Sequence, residues 1–153
     1  MAITAVHKRD GYSEEASSTP IPLLISVPDA ERLMLQSRFV KNRYEAEIQG
    51  DLEMRIRCAK HLDPLAVPPD LVTMNSQVIL RDVDTAQTCV FTVVFPCCAN
   101  SRKGRISVLT PLGATLLGAR EGETLACPIS GRIATVTVET ILHQPEAAGN
   151  LYG

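Results

Sequence analysis

The stretch Ile106-Ser-Val-Leu-Thr-Pro-Leu-Gly-Ala-Thr-Leu-Leu-Gly-Ala-Arg-Glu-Gly-Glu123 spells out a strand, a helix cap, a short helix and a turn. Ile106 to Leu109 suit an extended chain. Thr110 is placed to cap a helix, and Pro111 then occupies the first helical position, where its missing N–H leaves no bond unmade. Leu112, Leu116 and Leu117 fall on one apolar face over two turns. Gly118 and Gly122 bracket the exit, where positive φ is needed.

Strands surround this segment. Val78–Val83 is followed by a turn at Asp84-Thr85-Ala86. Cys89, Phe91, Val93 and Phe95 alternate along a second strand that Pro96 closes, and Asn100–Gly104 reads as a polar turn. Thr124–Cys127 and Arg132–Leu142 form a hairpin across Ser130-Gly131. In the last strand Ala134, Val136, Val138 and Leu142 share one face, and Thr135, Thr137 and Glu139 the other. One covered face and one short helix define an α+β unit with an antiparallel sheet.

Upstream the periodicity is helical. Residues 1–20 mix charge with Ser and Thr and read as a flexible extension. Ser26 and Asp29 make an S-x-x-D cap, and Ala30, Leu33, Met34 and Phe39 give the helix that follows its apolar face. Lys41-Asn42-Arg43 is the turn. The second helix is expected from about Tyr44 to His61 or Leu62, with Ile48, Leu52, Arg55, Ala59 and Leu62 on the seam of an antiparallel pair. At 1.5 Å per residue it is roughly 28 Å long. Asp63-Pro64 ends it, and Pro68-Pro69 reads as a stiff linker. The organisation is therefore an extension (1–20), a short helical hairpin (21–67) and a second domain (68–153).

Composition limits the chemistry. A chain of 153 residues, 45% hydrophobic, buries a real core. A net charge of −2 gives no global reason to bind nucleic acid, and 4% aromatics without Trp supply no stacking platform. Five cysteines form no C-x-x-C pair, and an odd count with no visible secretory leader points to reduced thiols and a cytoplasmic location. Cys97-Cys98 reads as filler at a strand end. The three histidines show no ligand spacing, so no metal or cofactor is expected. Ile21–Val27 is too short to span a membrane. There is no phosphate loop, and no histidine sits in a phosphoryl-accepting setting.

Several segments, in order along the chain, carry a family resemblance. Val72-Thr-Met-Asn-Ser-Gln-Val78, Leu109-Thr-Pro-Leu-Gly-Ala-Thr-Leu-Leu-Gly118 and Gln144-Pro-Glu-Ala-Ala-Gly149 resemble the C-terminal domain of the bacterial regulator of nucleoside diphosphate kinase, which is shared more distantly with the Gre transcript-cleavage factors. Asp29-Ala-Glu-Arg-Leu33 resembles the start of that regulator's helical hairpin. The resemblance covers approximately Ile21 to Gly149. It implies an FKBP-like fold for the second domain and RNA polymerase as partner, bound near the rim of its secondary channel. Thr110, Pro111 and Leu112 would then lie on the docking surface, with the hairpin as the probe. Its tip carries Arg38, Lys41, Asn42 and Arg43.

Gre factors bear acids at the tip of a long hairpin, where carboxylates help hold a second Mg²⁺. Arg38–Arg43 contains no acid and three basic residues, on short arms. The resemblance with this departure implies a non-enzymatic regulator that competes with Gre-type factors for the polymerase without stimulating transcript cleavage, and that meets nucleic acid at most through the polymerase. The alternative is a Gre-like cleavage factor using Glu45 or Glu47. Prolyl isomerase activity rests on fold likeness alone.

Overall fold

The structure, a computed structural model, describes residues 22–129 and 131–150; the extension at 1–20 lies outside them. The chain enters as β1 (Leu24–Ser26) and passes directly into α1 (Val27–Leu35). Ser26 caps that helix, its Oγ accepting from Asp29 N at 3.2 Å. The Asp29 carboxylate also reaches across to the sheet domain, where its Oδ2 accepts from Met74 N. A 3-10 turn at Gln36–Phe39 follows, then α2 (Arg43–Arg57). Ala30 and Leu33 are buried and Met34 half-buried, but Phe39 lies beyond the helix end and is 66% exposed.

Helix α2 is shorter than its periodicity suggests. It stops at Arg57, and Lys60–Leu62 is instead β2, paired in parallel with β1. Ala59 N donates to Ile56 O at 3.1 Å and His61 Nε2 lies 2.8 Å from the same carbonyl, closing the helix end, while Lys60 N donates to Leu23 O at 2.8 Å and starts the pairing with β1. Ala59 and Leu62 therefore lie beyond the helix, whose buried positions are Ile48 and Leu52 from the expected seam together with Gln49 and Ile56, which it did not include.

The main sheet comprises β3 (Gln77–Asp82), β4 (Thr88–Val94), β5 (Arg105–Ser107), β6 (Thr124–Ile129) and β7 (Arg132–His143), in the order β5-β4-β3-β7-β6. It is mixed, not antiparallel throughout, because β4 and β5 run parallel. The polar segment before β5 is thus not a simple hairpin turn. Two 3-10 turns, Pro96–Cys98 and Ser101–Lys103, fold the chain back twice before Gly104 (φ +72) delivers it into β5. Between β6 and β7 only Ser130 and Gly131 (φ +81) intervene; Ser130 lies outside the described residues.

The last strand departs from strict alternation. Its pairing with β3 shifts twice, so Val138 faces Leu80, Ile141 faces Val78 and His143 faces Gln77. The shifts bring Ile141 onto the core in place of Leu142, which is 50% exposed. Helix α3 (Pro111–Leu116) covers the sheet, with Leu116, Leu117, Val78, Val93, Leu125 and Val138 buried beneath it. Leu33, Ile48, Leu52 and Ile56 belong to the same continuous core, so the two N-terminal helices close over the α3 side of the sheet.

Candidate functional site

The four segments that carry the family resemblance meet in one place. The Val72–Ser76 loop is its hub, anchored at both ends by backbone pairs: Val72 N to Ala119 O and Gly118 N to Val72 O on one side, Asn75 N to Val93 O and Val93 N to Ser76 O on the other. Asn75 takes φ +67, a left-handed geometry that asparagine tolerates better than most side chains. From α1, Asp29 Oδ2 accepts from Met74 N at 3.2 Å. From the C-terminal turn, Glu146 Oε1 accepts from Thr73 Oγ1 at 2.8 Å.

Donor directions in this cluster are fixed by elimination. Ser76 Oγ accepts from Thr73 N at 2.8 Å, and Thr73 donates its hydroxyl to Glu146, so Ser76 gives its own proton to Thr73 Oγ1 at 2.8 Å. The chain of bonds ends on the Glu146 carboxylate. Burial, with the negative charge of Glu146 adding to it, pushes the Asp29 carboxyl up to about 7; the Met74 N–H, Arg32 and Ser26 pull the other way. Gln144, also on this turn, donates from Nε2 to Pro68 O and Leu71 O at 2.7 and 2.8 Å and ties down the Pro68-Pro69 segment. An ion pair between Arg120 and Asp70, at 2.9 Å, lies beside it.

The predicted docking residues sit at the other end of α3. Thr110 Oγ1 donates to Ser107 O at 2.7 Å and accepts from Gly113 N at 3.1 Å, so its hydroxyl is committed to the cap. Pro111 and Leu112 are half-buried, and Leu112 packs against the core. The predicted tip residues Arg38, Lys41, Asn42 and Arg43 are all exposed on the turn between α1 and α2. No hydrogen bond or ion pair joins these two groups among the described residues.

Two features of this turn bear on its chemistry. Asn42 Oδ1 accepts from Glu45 N at 2.9 Å, and Glu45 Oε1 accepts from Lys41 N at 3.0 Å. The acid nearest the tip is therefore occupied as half of a reciprocal cap. Helix α2 itself is roughly 22 Å long at 1.5 Å per residue, shorter than its periodicity predicts. Among the described residues no group of three or more His, Cys, Asp or Glu is placed to hold a metal ion, and no helix is long and apolar enough to cross a membrane.

Sequence reasoning placed Arg55 on a helix–helix seam and missed its real partner. Its guanidinium donates to Ala114 O at 2.9 Å and Leu117 O at 3.0 Å, closing the C-terminal end of α3. Burial pulls this guanidinium below its ordinary range, while Asp51 pulls it back up. Arg55→Ala leaves two carbonyls without their donor and should cost about 2–4 kcal/mol. Urea denaturation should show the midpoint fall with the slope unchanged, and Arg55→Lys should recover only part of the loss because a point charge cannot serve both carbonyls at once. Wild-type stability in Arg55→Ala would remove Arg55 as a structural tie.

This arrangement is an α+β fold of the GreA/GreB kind, with two helices packed over its sheet. A family profile described as "Transcription elongation factor, GreA/GreB, C-term" matches residues 67–143. The solved structure of a prokaryotic transcription elongation factor GreA/GreB from Nitrosomonas europaea superposes with a TM-score of 0.69 at 30% identity, over 81% of this chain and all of that one. GreA of Aliarcobacter butzleri is 30% identical over 95 residues, 62% of this chain and 59% of its own. The regulator of nucleoside diphosphate kinase of Escherichia coli K12 is 33% identical over 132 residues, 84% of this chain and 94% of its own. The chain belongs to that regulator's family and carries the GreA/GreB C-terminal domain.

Proposed function

We propose that this protein is a non-enzymatic regulator that binds RNA polymerase near its secondary channel and competes there with Gre-type factors without stimulating transcript cleavage. Residues 68–153, in the FKBP-like arrangement of the Gre C-terminal domain, form the docking unit, with Thr110, Pro111 and Leu112 on the contact surface. Residues 21–67 form the probe, a helical hairpin, and the protein works in the cytoplasm with its polymerase. The observation that carries the reading is the turn between the helices. It presents Arg38, Lys41 and Arg43 to solvent, and the nearest acid, Glu45, is held in the helix cap. Glu45 spends one carboxylate oxygen on the Lys41 N–H at the helix start, while the cationic turn complements an acidic rim.

A photocrosslinker at Asn42 on the full chain tests this against core polymerase. Crosslinks to the secondary channel, displaced by a Gre factor, are expected, and stalled elongation complexes should keep their transcript length. RNA shortening that disappears in Glu45→Gln or Glu47→Gln would replace the reading with the Gre-like cleavage alternative. Absence of binding at micromolar protein would sink both.

A further inference from the structure

Cys97 and Cys98 stand just past the end of β4. Both are exposed, on the 3-10 turn that follows β4, and their sulfurs lie 3.6 Å apart. The turn is fixed from both sides: Pro96 starts it, Cys98 N donates to Phe95 O at 2.9 Å, and Ala99 N donates to Pro96 O at 3.3 Å. Phe95 is itself held under the Arg32 guanidinium, 5.8 Å from the ring centroid. The two thiols are thus presented by a backbone already tied to the sheet and to α1.

The spacing selects a kind of ligand. With a metal–sulfur bond of about 2.3 Å, sulfurs 3.6 Å apart subtend roughly 103° at a shared centre. That is close to one edge of a tetrahedron, whereas a linear two-coordinate ion would require about 4.6 Å. An ordinary disulfide is the poorer use of the pair, because adjacent Cα atoms are about 3.8 Å apart and disulfides prefer roughly 4.4–6.8 Å. The hydrogen bond between the two thiols raises the Cys98 pKa above its ordinary value, although Arg105 pulls it down. A centre that captures both sulfurs displaces both thiol protons.

We propose that Cys97 and Cys98 form a two-thiolate site for a soft, thiophilic centre that accepts sulfur ligands in a bent arrangement: a Zn²⁺- or Cd²⁺-like cation or a trivalent arsenical. A divalent cation forms two metal–sulfur bonds, releases two protons and keeps its remaining positions for water. With an organoarsenic(III) oxide, two S–As bonds form, the As–O bond breaks, and the oxygen leaves as water with both thiol protons. Arsenic stays trivalent and no electron is transferred.

The test is titration of the full chain, under a non-thiol reductant, with Cd²⁺ and separately with phenylarsine oxide. Cd²⁺ is followed by its thiolate charge-transfer absorbance, the arsenical by protection of thiols from maleimide labelling. One equivalent per chain is expected, with two thiols protected at once. Cys97→Ser and Cys98→Ser should each weaken binding by roughly 10²–10⁴-fold, because each removes the intramolecular second contact. Cys58→Ser and Cys89→Ser, at exposed single thiols, should bind like the parent, and all four should melt with it. Binding of either probe with that mutational pattern supports the site and identifies the centre it takes. Failure of both probes, parental affinity in Cys97→Ser or Cys98→Ser, or an equal loss in Cys58→Ser or Cys89→Ser overturns it.

Discussion

Gly113→Ala is expected to damage the fold severely for a change of one methyl group. A Cβ at this position would press inside contact distance of the Ser107 carbonyl oxygen and carbon, and lie 3.0 Å from the Val108 Cα. All three are backbone atoms, so no side chain can rotate away. The Ser107 carbonyl is also fully engaged, accepting from Thr110 N at 3.0 Å and from Thr110 Oγ1 at 2.7 Å. Relief therefore requires α3 to lift from the end of β5. That movement would disturb the cap, the buried Leu116 and Leu117 and the carbonyls that Arg55 holds. Overpacking against backbone typically costs about 1–3 kcal/mol, and coupled loss of the cap adds about 1 more. Urea denaturation of Gly113→Ala should show a loss of roughly 2–4 kcal/mol or no folded baseline. At Gly50, where nothing lies within 4 Å of the added carbon, Ala should be neutral or slightly stabilising through helix propensity. Equal stability of the two variants would show that α3 does not sit as close to β5 as its backbone contacts require.

The contrast between these glycines shows where the sequence was legible. Gly118 and Gly122 announced themselves by their place after a helix, and both have positive φ, +87 and +92. Gly113 carries the heavier constraint, and its only signal was a glycine inside a helical pattern, which hints at close approach without saying to what. Local patterns likewise gave the Ser26 and Thr110 caps, the turn at Asn42 and most strands to within a residue or two. They failed where distant chain decides the outcome. The last turn of the second helix yielded to pairing with β1, a partner some 35 residues away. Parallel pairing of β5 with β4 depends on two 3-10 turns that no periodicity marks. Bulges in β7 put Ile141 in the core and left Leu142 outside. Arg55 and Asp29 read as a seam residue and a cap residue, and both proved to be ties between the helices and the sheet domain. Their partners are backbone atoms, which carry no signature in a sequence.

Asp29 gives the second large effect, and its sign is unusual for a carboxylate. Its value in the folded chain, about 7, lies above the ordinary 3.8, so between these pH values the folded state holds a proton that the unfolded state has lost. Asp29's contribution to stability is full below about pH 4, declines as the pH rises toward 7, and levels off above that. A shift of about three units corresponds to roughly 4 kcal/mol across the window. Asp29→Asn keeps an oxygen for Met74 N and carries no charge, so its stability should be nearly flat from pH 4 to 8. It should exceed wild type by about 2–4 kcal/mol at pH 8 and converge with it near pH 4. Glu146→Gln can still accept from Thr73 but removes the second negative charge, so it should shrink the wild-type slope without abolishing it. Hydrogen exchange at the buried Met74 amide should quicken with pH beyond its intrinsic dependence in wild type and not in Asp29→Asn, because its opening follows the stability lost as Asp29 ionises in a buried setting. Parallel stability profiles for wild type and Asp29→Asn would mean that Asp29 is ionised throughout. The packing of the helices on the sheet would then carry no pH dependence from this residue, where burial and the charge of Glu146 argue for a fold that loses stability as the solution becomes alkaline.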